Sequence, residues 1–433
     1  MDLIYLYFIY FNIGFTMAFP SVAVQFTIMN LTSPVLTGIA YGAITAPWCF
    51  KPFYGYISDK YPFFNWGKRK PYISFACLMT SYLYITVYDF KEHFFVFIFY
   101  LTLISMYICI TDVCADSITV EYAKREQTKG VVQSNTWISR GIGTLVGFIL
   151  GGLMYKNTNA QDVLTFSCYL PLINALSVWN IKEYNVKTKI PSLSDLKQNF
   201  INQKTFIFVL FLFHVAPNYR VFYEYFMKEK LQYSPDYFTY LNVISSVSFV
   251  IGLISFKYYF RKFELKKVLL FAVLVSSTLR LTQIGVVLGW IPYFSIIMID
   301  GIVESFCGQL IMMPLIVIAA KVCDDGLEGT FFSFVMSVMN FGGFIADELG
   351  ALIAHILGVT KYTFDNLYIL MIIGILLDLI IPLILFKKMS FYFETYEPLS
   401  DEIDLNEEPE DPQDLTLVYQ KNQKKVSDHL ECI

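Results

Sequence analysis

Charged residues are scarce in this 433-residue chain, and that scarcity is the first constraint on its fold. Only 16% of the residues are Asp, Glu, Lys or Arg, whereas 56% are hydrophobic. Soluble domains carry roughly 25% charged residues. The hydrophobic residues also come in blocks of about 20, the helix length that crosses the hydrocarbon layer of a bilayer. The composition excludes an ordinary soluble globule and predicts an all-α, polytopic integral membrane protein.

The sequence also lacks the motifs of common enzyme classes. It contains no HExxH, no GxSxG nucleophile motif, no phosphate-binding P-loop and no glycine-rich dinucleotide turn. Without a P-loop, the chain alone is not expected to drive pumping by ATP hydrolysis. The eight cysteines show no CxxC pair and no metal-ligand spacing, which is typical of small core residues. We therefore expect no enzymatic activity, no cofactor and no metal site.

Hydrophobic blocks between charged or Pro/Gly breaks predict about twelve transmembrane helices. The predicted spans are residues 3–29, 34–58, 71–90, 94–115, 128–154, 163–181, 205–227, 236–257, 265–289, 291–320, 328–357 and 364–387. They form two six-helix bundles, residues 1–181 and 205–388. Residues 182–204 are predicted to be a cytoplasmic central loop. Residues 389–433 are predicted to be an acidic, disordered cytoplasmic tail.

Lysine and arginine are concentrated in alternate predicted loops, which indicates the orientation of the chain. Lys68, Arg69 and Lys70 lie in the loop after the second predicted helix. The other predicted loops that are rich in lysine and arginine follow it at every second loop along the chain. Cations are retained on the cytoplasmic side of a membrane. Both termini are therefore predicted to be cytoplasmic. We expect the plasma membrane as the location, with an organelle membrane as the alternative.

The two predicted bundles resemble each other. The fourth helix carries Asp112 and Asp116, and the tenth carries Asp300 and Glu304, each pair four residues apart on one helix face. Parallel repeats around a central site are a transporter architecture. The fifth helix also has glycines at four-residue spacing, which predicts close helix packing: Gly143, Gly147 and Gly151.

Ionisable residues inside apolar helices are costly and are therefore candidates for function. Counting about 1.5 Å per residue from each predicted helix start sorts them by depth. Those near the middle of the bilayer are Arg140, His214, Asp300, Glu304 and Asp378. Those toward the cytoplasmic side are Lys51, Asp59, Asp112, Asp116 and Glu121. Those in the outer half are Arg220, Glu224, Arg280, Asp347 and Glu348.

Arg140 is the first candidate for substrate binding. Gln133 and Trp137 lie near it on the same helix, so an anion and a flat ring could be held together. The competing interpretation is an ion pair of Arg140 with Asp300 or Glu304. Those two carboxylates could instead accept hydrogen bonds from a substrate or act as the proton-coupling site. A purely structural pairing is the third possibility.

Three further intramembrane features leave alternatives open. His214 lies before Pro217, which should kink the seventh helix, and it is either a ligand or a satisfied helix contact. Arg220 and Glu224 are four residues apart and are most simply a mutual pair. Arg280 is either a second carboxylate anchor or a side chain that extends to the membrane surface.

Several segments resemble the folate-biopterin transporter family of the major facilitator superfamily. They are PWCFKPFYGYISDK at residues 47–60 with GKRKPY at 67–72, DVCADSITVEYAK at 112–124, QSNTWISRGIG at 133–143, and Met313-Pro314 with CDDGLEGTFF at 323–332. These segments lie in both predicted bundles. The resemblance implies a major-facilitator-type fold. It also implies a secondary transporter that moves folates or pterins by alternating access, coupled to protons.

The resemblance and the depth analysis together predict two groups of functional residues. The substrate-binding candidates are Arg140, Trp137, Gln133, Asp300, Glu304, Gln309, Asn340, His214, Arg280 and Trp48. The candidates for gating or coupling are Lys51, Asp59, Arg69, Asp112, Asp116, Glu121 and Glu328. In the superfamily, the aspartate and basic residues of the second-to-third-helix segment form a charge latch at the inner gate.

Two alternative functions remain open at this point. One is a transporter of the same fold for another solute, such as S-adenosylmethionine, a nucleoside or an amino acid. The other is a non-transporting membrane sensor or scaffold that signals through its acidic tail. Ionisable residues at the midplane argue against a scaffold, which gains nothing from their cost. The expected partners are a small-molecule substrate, protons and the lipid bilayer, and no nucleic acid.

Overall fold

The computed structural model describes residues 2–61, 67–125, 131–183, 201, 203–291, 293–322 and 328–394. Every regular element in these residues is helical. Most of the predicted central loop and nearly all of the predicted tail lie outside the described residues. The same is true of the Cys323–Gly326 part of the family motif, and the side chains of Gln133, Asp59 and Glu328 are not described either.

The N-terminal half, here residues 2–183, contains nine α-helices in its described residues. They are α1 Asp2–Ala18, α2 Ser21–Leu31, α3 Pro34–Thr45, α4 Lys51–Lys60, α5 Lys70–Thr86, α6 Phe94–Arg125, α7 Val131–Asn157, α8 Ala160–Phe166 and α9 Tyr169–Ser177. A 3₁₀ turn over Ala46–Phe50 joins α3 to α4. Prolines lie at the interruptions, where they remove a backbone donor: Pro20 precedes α2 and Pro47 lies in the turn.

The C-terminal half, here residues 201–394, contains seven more. They are α10 Lys204–Phe213, α11 Arg220–Tyr225, α12 Pro235–Tyr258, α13 Leu265–Val287, α14 Tyr293–Val322, α15 Glu328–Ile356 and α16 Leu367–Glu394. Nine helical segments in the described residues of the whole chain are long and apolar enough to cross a membrane. The predicted number of twelve therefore remains a prediction.

The predicted seventh helix is broken, not kinked as the sequence suggested. The helix α10 ends at Phe213 and α11 begins only at Arg220, with Pro217 between them. The backbone N–H of Asn218 in the break donates to the carbonyl of Ala346 on α15 at 2.9 Å. This bond satisfies a donor that the interrupted helix leaves without its own partner.

Close packing between α1 and α7 depends on glycine. A Cβ atom on Gly143 would overlap the backbone carbonyl of Phe11, and one on Gly151 would overlap that of Phe19. The backbones therefore approach to a distance that only glycine allows. The predicted packing role of this glycine run is confirmed.

Each half has a large apolar core of its own. The buried residues of one core all come from residues 6–181, and those of another all come from residues 206–386. The halves meet where α7 packs on α12 and where α3 and α4 pack on α15. Phe26 of the N-terminal half also meets Phe238 of the C-terminal half edge to face, with ring centroids 5.0 Å apart. The boundaries of the two predicted bundles stay a prediction.

We predict that Gly143→Ala lowers the stability of the protein, because the added Cβ displaces the backbone of α1. Overpacking typically costs about 1–3 kcal/mol. The matched control is Gly343→Ala, since a Cβ at Gly343 has no neighbour within 4 Å in the described residues. Alanine is favoured over glycine in a helix, so the control should melt at the same temperature or higher. Thermal unfolding in detergent is the measurement, and equal melting temperatures for both variants would contradict the packing role.

Candidate functional site

One buried carboxylate holds two cations inside the N-terminal half. Oδ2 of Asp112 on α6 lies 2.6 Å from Nζ of Lys51, and Oδ1 lies 2.7 Å from Nη1 of Arg140 on α7. The side chains of Lys51 and Asp112 are only 4% and 1% accessible. An ion inside a membrane protein is strongly disfavoured unless it is paired and hydrogen-bonded. Asp112 therefore serves as the shared counter-ion for both cations.

A second carboxylate makes this cluster electrically neutral. Oδ2 of Asp116 lies 3.8 Å from Nζ of Lys51, and its Oδ1 accepts a hydrogen bond from the Tyr10 hydroxyl at 2.6 Å. The same hydroxyl is 3.0 Å from the Thr119 hydroxyl. The two cations and two carboxylates are called the Asp112 cluster below: Lys51, Asp112, Asp116 and Arg140.

The predicted partner of Arg140 needs correction. The helix α6 continues to Arg125, so Asp112 lies thirteen residues before its C-terminal end, about 20 Å along the axis. The side chains of Asp112 and Arg140 meet at one level, closer together in depth than the sequence predicted, and the position of Asp112 and Asp116 toward the cytoplasmic side stays a prediction. The partner of Arg140 is Asp112, and the proposed pairing of Arg140 with the carboxylates of α14 was wrong.

Two tryptophans flank the Arg140 guanidinium. The centre of its guanidinium is 5.8 Å from the Trp48 ring and 5.5 Å from the Trp137 ring, within the range of cation–π attraction. The Trp48 indole N–H donates to Ser105 at 3.0 Å, and the Asn340 side chain donates to the Trp48 carbonyl at 3.1 Å. The structure therefore brings together four of the predicted binding residues: Arg140, Trp137, Trp48 and Asn340.

The C-terminal half contains a separate charged cluster. Arg280 on α13 is hydrogen-bonded to Asp378 on α16, and its Nη2 lies 3.3 Å from Glu304 on α14. Asp300 accepts a hydrogen bond from Thr282 at 2.8 Å. The guanidinium is thus paired between helices, which disagrees with the alternative of a side chain reaching the membrane surface. Arg280 pairs with Asp378 and Glu304, and Asp300 adds a third carboxylate to the same half, so these carboxylates carry more charge than the one guanidinium neutralises when all groups are ionised.

The remaining predicted binding residues occupy different surroundings. Nδ1 of His214 is 2.9 Å from the Leu210 carbonyl, which matches the satisfied helix contact. Gln309 is buried against Gly252, and its Oε1 has no hydrogen-bond partner among the described residues. Neither residue is in contact with the Asp112 cluster through any described hydrogen bond. Their roles in binding remain predictions.

The predicted gate residues are divided between two places. Arg69 forms a buried ion pair with Glu121 near the C-terminal end of α6. Glu183 accepts from the backbone N–H groups of Lys68, Arg69 and Lys70 at 2.7–2.8 Å, which holds a carboxylate at the positive end of α5. The latch candidates Lys51, Asp112 and Asp116 lie instead in the Asp112 cluster.

A cavity of about 400 Å³ lies between the two halves. Its polar lining includes Gln25, Trp48, Asn218, Arg220, Glu224 and Asp347. Met17 also lines the cavity, and its sulfur atom lies 3.4 Å from Nη2 of Arg140. The Asp112 cluster therefore lies directly behind the cavity wall that Met17 and Trp48 form.

Sequence reasoning missed most of this lining. Nε of Arg220 donates to Oε1 of Glu224 at 2.9 Å, which confirms the predicted mutual pair, but its location in a central cavity was not foreseen. The available signal was an opposite-charge pair just after Pro217, inside an apolar segment. Gln25 and Asn218 gave no signal, because neutral amides are ordinary at helix ends and turns.

A second cavity, of about 620 Å³, is lined by residues at the end of α7 and at the start of α12. Lys156 at the end of α7 and Asp236 at the start of α12 line it, and their charged atoms are 3.0 Å apart. Both side chains are accessible, at 52% and 36%. This ion pair joins the two halves where the basic-loop pattern predicts the outer side of the membrane.

Comparison with known proteins identifies the family. The model of the BT1 family matches residues 14–411. A folate-biopterin transporter of Synechocystis is 28% identical over 79% of this chain and 72% of the relative. A probable folate-biopterin transporter of Arabidopsis thaliana is 26% identical over 77% and 71%. A folate transporter of Plasmodium falciparum is 25% identical over 74% and 73%.

Solved structures with the same fold are also transporters. A nucleoside transporter aligns with a TM-score of 0.67 at 14% identity, over 90% of this chain and 99% of the other. A D-xylose–proton symporter aligns with a TM-score of 0.65 at 11% identity, over 88% and 96%. The family and the named relatives are those of transporters, not of enzymes. The chain therefore belongs to the BT1 family, and it is a multi-pass membrane protein with the fold of major facilitator superfamily transporters.

Proposed function

We propose that this protein is a secondary active transporter that moves folate- or pterin-type solutes by alternating access, coupled to protons. The central observation is the cavity of about 400 Å³ between the halves. Its size lies in the roughly 300–1,000 Å³ range of small-molecule sites. It combines an aromatic wall at Trp48 with a guanidinium at Arg220. The names of the relatives support the same solute class.

The lining matches the chemistry of a folate. Folate combines a flat pteridine ring with a tail that carries carboxylates. A tryptophan face binds a flat ring, and a guanidinium binds a carboxylate. The amino-pyrimidinone edge of the ring needs acceptors, and Asp347 and Glu224 supply carboxylate oxygens in the cavity. We propose that Trp48 stacks on the pteridine ring of the substrate and that Arg140 holds Trp48 in position.

Arg140 acts in this proposal through the indole that it contacts. Its guanidinium is fixed by Asp112 on one side and lies against Trp48 and Trp137 on the other. A cation behind an aromatic wall holds the ring in one orientation by cation–π attraction. Arg140 is therefore a positioning residue whose loss should change uptake more than stability.

Proton coupling is assigned to the carboxylates of the C-terminal half. Arg280 neutralises one charge, whereas Asp300, Glu304 and Asp378 supply three. The Asp112 cluster is already neutral without a proton, so it has less need of one. Glu304 is the most accessible of these carboxylates, at 48% for its side chain. We propose Asp300 and Glu304 as the carriers of the coupled proton.

The topology completes the proposal. We place the chain in the plasma membrane, with residues 1–181 and 205–388 as two six-helix bundles and both termini in the cytoplasm. The accumulation of cations in alternate loops supports this orientation. Alternation of the two bundles around the central cavity would expose it to each side in turn.

Uptake by purified protein tests the function. We expect proteoliposomes to accumulate radiolabelled folic acid, faster at acidic than at neutral external pH, because protons entering with the solute drive it. Excess unlabelled biopterin should compete, whereas S-adenosylmethionine, nucleosides and amino acids should not. Liposomes without protein are the control. Transport of one of those other solutes without folic acid or biopterin uptake would overturn the proposed substrate class.

We also predict that Arg140→Gln lowers folic acid kcat at least tenfold while the protein stays folded. Lys51 contacts both carboxylates of the cluster, Asp112 at 2.6 Å and Asp116 at 3.8 Å, so each is expected to keep a cation partner in this variant. Asp112→Ala is the contrasting variant, since it leaves two cations facing Asp116 alone. Loss of one partner of a buried pair costs about 3–5 kcal/mol. This second variant should therefore give little folded protein.

Initial uptake rates, normalised to the amount of folded protein, separate a loss of transport activity from a loss of folded protein. Arg140→Lys should restore part of kcat, because an ammonium keeps the charge but not the planar face that stacks on indole. Wild-type kcat and KM in Arg140→Gln would refute the positioning role.

A further inference from the structure

The break between α10 and α11 sets the position of one cation in the central cavity. Arg220 is the first residue of α11, and its backbone N–H donates to Oδ1 of Asn218 at 2.9 Å. The Asn218 amide donates in turn to Asp347 on α15 at 2.7 Å. These bonds fix the start of α11, and with it the base of the Arg220 side chain, at the cavity wall.

The Arg220 side chain differs from the other intramembrane guanidiniums in its accessibility. It is 71% accessible although it lies within the protein, because it lines the cavity. Arg140 and Arg280 are 16% and 22% accessible and are each held by buried or half-buried carboxylates. Only Arg220 among these three is available to a molecule that enters the cavity without first breaking a buried ion pair.

The partner of Arg220 also contacts the opposite half. Glu224 accepts from Arg220 through Oε1 at 2.9 Å, and from Nε2 of Gln25 on α2 through Oε2 at 2.7 Å. The described hydrogen bond of the guanidinium uses Nε alone. A guanidinium can bind a carboxylate through two parallel bonds, so this contact uses less than its capacity.

We propose that Arg220 anchors a carboxylate of the substrate and that Glu224 occupies this anchor in the empty cavity. An entering carboxylate would replace Glu224 on Arg220 with a two-bond contact, while Glu224 keeps its hydrogen bond to Gln25. This assignment rests on the proposed function and deepens it. It makes Arg220 the residue that selects carboxylate-bearing folates over pterins that have no carboxylate.

The selectivity of one variant tests the assignment. A hydrogen bond to a charged group contributes about 1.5–3 kcal/mol, so Arg220→Gln should raise the KM for folic acid at least about tenfold. Its KM for biopterin, which has no carboxylate, should change less than twofold. Biopterin uptake also reports that the variant is folded. Both values come from initial rates of radiolabelled uptake in proteoliposomes.

The opposite effect is expected when the competing carboxylate is removed. Glu224→Gln keeps an acceptor for Gln25 but removes the negative charge from Arg220, so the KM for folic acid should fall. The matched control is Arg261→Gln, because Arg261 is an exposed arginine in the cytoplasmic turn Phe260–Lys262. That variant should transport both solutes as the wild type does.

Each other outcome is decisive. Equal losses for folic acid and biopterin, or no change for either, would overturn the assignment of Arg220. If Arg220→Gln is not folded, Arg220→Lys replaces it, and it should still raise the KM for folic acid because an ammonium makes no bidentate contact. A wild-type protein that transports neither solute would overturn the proposed function and this assignment with it.

Discussion

The need to pair every ionised side chain inside the membrane determines how this protein is built. Asp112 lies within 3 Å of two cations from different helices, and Asp116 balances the second charge. The C-terminal half places Arg280 between carboxylates of its own. Each of these ion pairs therefore lies within one half. Glu224 of the C-terminal half, by contrast, also accepts a hydrogen bond from Gln25 of the N-terminal half.

The contacts between the halves combine apolar packing, such as that of Phe26 on Phe238, with polar contacts that differ from these buried ion pairs. They include neutral hydrogen bonds, such as the one from Asn340 to the Trp48 carbonyl, and the accessible ion pair of Lys156 with Asp236. Exposed ion pairs contribute only about 0–1 kcal/mol. Tight glycine contacts occur within the N-terminal half, between α1 and α7, and also across the halves, where a Cβ on Gly152 of α7 would overlap the side chain of Thr239 of α12. The ion pair that joins the halves in the described residues is thus an accessible one, which favours a mechanism in which the two halves move relative to each other.

Much of the fold could be predicted from the sequence, because its signals are local. Apolar blocks mark the helices, and the spacing of Gly143 and Gly151 marks a close helix contact. The end of α6 could not be predicted in the same way. Asp112, Asp116 and Glu121 interrupt the apolar run, so the helix was expected to end at residue 115. They remain helical because residues distant in the sequence neutralise them.

The candidate site was predictable only in part, for the same reason. Depth along a helix shows how far a charge lies from the surface, but not which helix faces it. Arg140 was singled out correctly as an intramembrane charge near Trp137, yet its partner depends on the packing of α6 against α7. The cavity depends on the break before Arg220 and on segments from both halves, which no local pattern reveals.

The central claim is that the halves separate and close again at their outer contact during each transport cycle. It is tested by cross-linking Lys156→Cys to Asp236→Cys with a bifunctional thiol reagent, since the two native side chains meet at 3.0 Å. We expect the cross-link to stop folic acid uptake and a reductively cleaved linker to restore it. Each single-cysteine variant treated with the same reagent should transport normally. Uptake that continues at the wild-type rate in fully cross-linked protein would contradict the account.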